Sequence, residues 1–81
     1  MPEGDAEEVK QAFAAVLKEA RASAGLTQEE LAERAGVYRT YPSLLERAKR
    51  QPTLDVVIRI GRALGVGPRE LVRRTSEKLD S

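Results

Sequence analysis

The 81 residues include no Cys and no His, which excludes disulfide frameworks, thiolate or imidazole metal sites and His-based acid–base catalysis. A formal charge of +1 points to no polyanionic partner by itself, and no run approaches the roughly 18 consecutive apolar residues of a membrane span. Aromatic residues make up only 4% while Ala, Leu, Glu and Arg dominate, so the expectation is an all-α chain with one small core and no second domain.

The first residues carry acids and no apolar run of leader length, so cytoplasmic placement is expected. Val9, Ala12, Phe13, Val16, Leu17 and Ala20 then recur at helical spacing. Asp5 with Glu8 has the form of a capping box and Gly25 offers a stop, which predicts a first helix over residues 6–24. Thr27 with Glu30 is a second capping box. Leu31, Ala32 and Ala35 give one short apolar face, so a second helix is expected over 28–35. Gly36 can take the left-handed conformation needed for a sharp turn into a third helix, and two short helices joined this tightly make a helix-turn-helix.

Pro42 complicates that third helix. If the helix starts at Arg39, Pro42 removes a backbone bond and pushes Tyr41 away from α geometry. If it starts at Pro42, with Thr40 or Tyr41 as cap, nothing is lost because first-turn N–H groups have no intrahelical partner. The second placement, or a distorted first turn, is favoured. Arg39, Thr40 and Tyr41 would then project from an entry segment ahead of a helix over 42–47, beside first-turn N–H groups suited to phosphate.

After Pro52, Thr53 can cap a fourth helix over 54–64, with Leu54, Val57, Ile58, Gly61 and Leu64 as its stripe and Gly65 as its end. Gly67 and Pro68 open a fifth, whose apolar contacts are Leu71, Val72 and Leu79. Residues 1–5 and 75–81 are expected to be flexible around a core of about 6–73, within a single domain spanning 1–81. Charge is uneven along the chain. Arg39, Arg47, Lys49 and Arg50 face one acid, Glu46, and the stretch 59–74 sets five Arg against Glu70. Solvated helix faces would explain the second cluster better than the first, which surrounds an irregular turn.

The ordered pattern "TQEELAERAG…SLLER…PTL…ALGV" resembles the lambda-repressor-like, Xre-type helix-turn-helix regulators, and "RTY" with "LLERAKRQPTL" is similar to small restriction-modification controller proteins. The likeness covers about residues 13–71. It implies a compact five-helix DNA-binding domain whose third helix enters the major groove while the second crosses the backbone. By the resemblance, Arg39, Thr40, Ser43 and Leu44 match base-facing positions, with Arg39 the best base reader because its guanidinium can bond bidentately to guanine. Thr27 and Gln28 match positions that touch phosphate or buttress the reading helix. Arg47, Lys49, Arg50 and Gln51 match a phosphate-gripping turn, and Tyr41 can reach a phosphate or a sugar edge. Leu44 offers either a thymine-methyl contact or core packing beside Leu45. Arg21 and Glu46 match a partly buried salt bridge.

Two residues depart from the family pattern. Ala48 stands where Gly is usual, which would reshape the turn carrying Lys49 and Arg50. Tyr38 stands where a small capping residue is common.

The expected partners are double-stranded DNA and a second copy of the chain, on a palindromic operator, with RNA polymerase touched or occluded. Val66, Leu71 and Val72 are the expected dimer seam. No cofactor, metal, membrane or small-molecule ligand is expected. The rival reading is a protein-interaction module, such as an antitoxin or a coactivator-like bridge. An enzyme has little support, because a Gly-rich phosphate loop is missing and the carboxylates fall at caps or on solvated faces.

Overall fold

A computed structural model describes residues 3–80, with side chains from Ala6 onward. Five helices follow in order: α1 (Glu3–Ser23), α2 (Gln28–Ala35), α3 (Tyr41–Glu46), α4 (Leu54–Leu64) and α5 (Pro68–Asp80). No strand occurs among the described residues, and none of these helices is long and apolar enough to cross a membrane. Each helix sends one fully buried residue to the centre: Leu17, Leu31, Leu45, Ile60 and Leu71, all 0% exposed. Side chains of this size stabilise a fold by roughly 1.5–3 kcal/mol each when removed from water. Phe13, Val16, Ala20, Leu26, Ala35, Val57 and Leu64 fill the space around them.

Local chemistry sets most of the ends. Thr27 caps α2 by accepting from the Glu30 N–H at 3.0 Å, while the Glu30 carboxylate accepts from the Thr27 N–H at 2.9 Å. Gly36 closes α2 at φ 71°, where only Gly is unstrained, and lets the chain turn into α3. Thr53 caps α4 through the Val56 N–H, and Pro68 occupies the first position of α5.

Several expectations are corrected. α1 begins at Glu3, so Asp5 lies inside the helix rather than just before it, where a capping residue would stand. α3 runs from Tyr41 to Glu46 with Thr40 at its N-cap, which puts Pro42 at the second helical position, where its missing N–H costs nothing. The buried face of α4 is Val57, Ile60, Gly61 and Leu64. Leu54 is 74% exposed, so the true stripe is rotated from the expected one.

α5 continues to Asp80, beyond the stretch expected to hold. Arg73 bridges Glu70 and Glu77, Arg74 also binds Glu70, and Lys78 reaches Glu19 on α1 at 3.3 Å. Together the two arginines hold the Glu70 carboxyl at about 2, with Arg73 the larger influence. Thr75 is buried, and its hydroxyl donates to the Leu71 carbonyl at 2.8 Å. Of the ends expected to be loose, residues 1–5 and 75–81, residues 1–2 and 81 lie outside the described residues.

Candidate nucleic-acid interface

The segment from Tyr38 to Arg50 is two-sided. Pro42 and Leu45 are buried, whereas Tyr38, Arg39, Thr40, Arg47, Lys49 and Arg50 are exposed. The Tyr41 N–H donates to the Tyr38 carbonyl at 3.0 Å, closing a tight turn that holds Arg39 and Thr40 outward just before α3. Ser43 and Arg47 lie one helical turn apart on the open face, where the Arg47 Nε donates to the Ser43 hydroxyl at 3.2 Å. This joins the sequence-predicted base-facing and phosphate-facing residues into one cationic strip.

The acid within that strip is neutralised from behind. Arg21 of α1 donates to Glu46 through Nε at 2.6 Å and Nη2 at 3.0 Å, and its Nη1 donates to the Leu26 carbonyl at 2.8 Å. The Glu46 side chain is 3% exposed and that of Arg21 17%. The hydrogen bonds that Arg21 donates to Glu46 raise its pKa above the ordinary value. Removing one partner of such a pair typically costs about 3–5 kcal/mol, because the other charge is stranded. Gln28 completes the arrangement by donating from Nε2 to Glu46 at 3.1 Å. Of the two roles implied for Gln28, the geometry favours buttressing α3 over gripping phosphate. Thr27 is likewise occupied by its cap, though its hydroxyl hydrogen remains available as a donor.

The turn after α3 keeps the shape that glycine would give it. Ala48 takes φ 56°, the Ala48 N–H donates to the Leu45 carbonyl at 3.1 Å, and the Lys49 N–H donates to the Leu44 carbonyl at 2.9 Å. These are the two bonds of a Schellman closure. The expectation of a reshaped turn is therefore wrong: Ala48 takes the left-handed position that glycine usually fills, and the turn leading to Lys49 and Arg50 closes with both of its bonds.

Leu44 is half-buried in an open groove beside Tyr38, Tyr41, Arg50, Val56 and Arg59, and does not join the core around Leu45. The Tyr41 ring packs partly on the core, so less of it is offered outward than the sequence suggests. Gln51 is not gathered with the rest. It borders a second groove with Phe13, Val57, Val72 and Leu79.

Two residues bordering this face were given no binding role by the sequence. Tyr38 is 87% exposed at the helix entry, and its only sequence signal is its unusual place beside "RTY". Arg59 lines the first groove, but its spacing to Asp55, which it binds at 2.9 Å, makes it look like an ordinary surface pair. In α5, Leu71 is 0% exposed, so it has no surface to offer a partner and leaves the expected dimer seam. Val72 is 55% exposed and Val66 packs against the core.

Comparison with known proteins agrees with this architecture. A family described as "Helix-turn-helix" matches residues 17–71. The chain is 46% identical over 57 residues to an uncharacterized HTH-type transcriptional regulator, y4dJ, of Sinorhizobium fredii, covering 70% of this chain and 74% of that protein. It is 34% identical over 80 residues to the control protein C.SmaI of Serratia marcescens, covering 96% and 95%. Among solved structures, the restriction-modification controller protein C.AhdI of Aeromonas hydrophila superposes with a TM-score of 0.73 at 37% identity, covering 76% of this chain and 94% of that one.

Proposed function

The chain belongs to the helix-turn-helix family of DNA-binding transcriptional regulators, and from that premise we propose that it acts as a homodimer on a palindromic operator. The observation that carries the reading is the exposed strip from Arg39 to Arg50, whose one acid is taken up by Arg21. Such a face presents net positive charge to a duplex with no buried group of its own unmet.

In this reading α3 lies in the major groove. Arg39 bonds guanine, Thr40 and Ser43 reach adjacent base edges, and Leu44 touches a thymine methyl. Arg47, Lys49, Arg50 and the Thr27 hydroxyl hold phosphates and set the register. Tyr41 and Gln28 support from the flank. A second copy doubles the site read, with half-sites about one helical turn apart. Regulation follows from occupancy in the cytoplasm, by blocking or touching RNA polymerase, and requires no cofactor.

Selection of bound duplexes from a random library at physiological salt tests this reading. A palindrome is expected, and Arg39→Ala should relax one symmetric pair of positions. Lys49→Ala should weaken every sequence alike, and the log–log salt slope of the wild type should fall near about −5 to −7, for roughly six to eight phosphates. Failure to enrich any sequence would refute the reading and turn attention to protein partners.

A further inference from the structure

Arg39 does not stand alone on the exposed strip. Its Nη2 lies 2.8 Å from the Glu29 Oε2, although both side chains are well exposed, at 76% and 64%. Glu29 sits in the first turn of α2, on backbone fixed by the Thr27–Glu30 capping box and at the helix end that favours an acid. Arg39 sits in the turn between the helices, with no helix of its own to restrict it. Among the described residues Arg39 has no other partner, so Nε and Nη1 remain open.

We propose that Glu29 is a positioning residue for Arg39 that sets operator specificity. The inference rests on the reading of Arg39 as the base-contacting residue and goes beyond it. Nη2 carries two hydrogens, so the carboxylate on one leaves the other beside a hydrogen of the neighbouring nitrogen on a single edge of the guanidinium, and two such donors suffice for a bidentate contact to guanine O6 and N7. On DNA lacking that guanine, an unrestrained Arg39 would swing to a phosphate and add sequence-blind affinity. The carboxylate competes with phosphate for the same group but leaves the guanine contact intact. Specificity is a difference between two affinities, so weakening the wrong complex raises it even when the right complex gains nothing.

The test is a double-mutant cycle on the full chain, with wild type, Glu29→Gln, Arg39→Ala and the double variant measured against the selected operator and a scrambled duplex over a range of salt. Glu29→Gln is expected to tighten scrambled DNA by about three- to tenfold, the scale of one exposed ion pair in each of two protomers. It should also steepen that salt slope by about one to two and change operator affinity by less than about twofold. The lost preference should fall at the base pair that Arg39 reads, and Glu29→Gln should have no further effect once Arg39 is Ala. Equal tightening of both duplexes, or tightening that persists in the Arg39→Ala background, would overturn the inference by showing that Glu29 merely repels the DNA backbone. No change on either duplex would overturn it too. A wild type without operator preference would refute the base-reading role itself, and so separates that failure from a failure of the Glu29 assignment.

Discussion

Ala48 shows how much of the interface hangs on one backbone angle. At φ 56° an L-residue crowds its own Cβ against the neighbouring carbonyl, at a cost of about 1–2 kcal/mol. Glycine would remove that strain but give back part of it, since the unfolded chain gains freedom worth about 0.4–1 kcal/mol. The balance favours glycine. Ala48→Gly is therefore expected to stabilise the fold by about 0.5–1 kcal/mol, or roughly 2–8 °C in Tm for a chain of this length. DNA affinity should be nearly unchanged, because the Leu45 and Leu44 carbonyls already receive the two closing bonds. Thermal melts check this, and an unchanged or lower Tm would mean that the half-buried methyl packs well enough to offset its strain. From sequence, the absent Gly suggested an altered turn. It could not reveal that the surrounding bonds would hold the left-handed shape with alanine in place.

Among the elements, α2 was legible almost to the residue because chemistry marks both its ends, with Thr27 and Glu30 before it and Gly36 after. α1 begins three residues before its expected bound despite Gly4, and α5 runs on past Thr75 because nothing after Pro68 breaks a helix and polar residues that look like a loose tail support one another through pairs such as Arg73–Glu77. Which way a helix faces was harder to read. In α4 both Leu54 and Ile60 fit a helical period, and only packing shows that Ile60 is buried. Gly61 fits that buried face for a reason the stripe alone hid: a Cβ there would lie 2.4 Å from the Pro68 nitrogen and 2.6 Å from its Cα. The Gly67 N–H also donates to the Gly61 carbonyl at 3.0 Å, so α4 and the start of α5 meet backbone to backbone. Gly61→Ala would ordinarily gain about 1 kcal/mol of helix propensity. Here the clash is with backbone that cannot rotate aside, so the variant is expected to lose about 2–3 kcal/mol in urea unfolding, on the scale of overpacking. A neutral or stabilised variant would show that α5 can slide away from α4.

For the whole molecule the question is what completes a small core and a short DNA contact. An 81-residue chain sits near the size at which one core suffices. α5 leaves Val72 55% and Leu79 40% exposed, beside a groove lined by Val9, Phe13, Pro52 and Val57. Sequence placed adjacent Leu71 and Val72 together on a dimer seam, but neighbours on a helix point about 100° apart. Leu71 goes inward, and Val72 is left as the residue to test. Charge at Val72 should scarcely disturb the fold, since that side chain is mostly in water already, whereas it would place an unpaired carboxylate inside a dimer seam. Wild type is thus expected to sediment as a dimer at tens of micromolar and Val72→Asp as a monomer. Because dimerisation stabilises only by mass action, the wild-type Tm should rise with protein concentration and that of Val72→Asp should not. On a palindromic duplex the variant should bind half-sites independently and far more weakly, with Arg39 and Lys49 untouched. A wild type that sediments as a monomer at that concentration would remove the homodimer from the proposed mechanism, and a Val72→Asp protein that still dimerises would move the seam away from this face of α5.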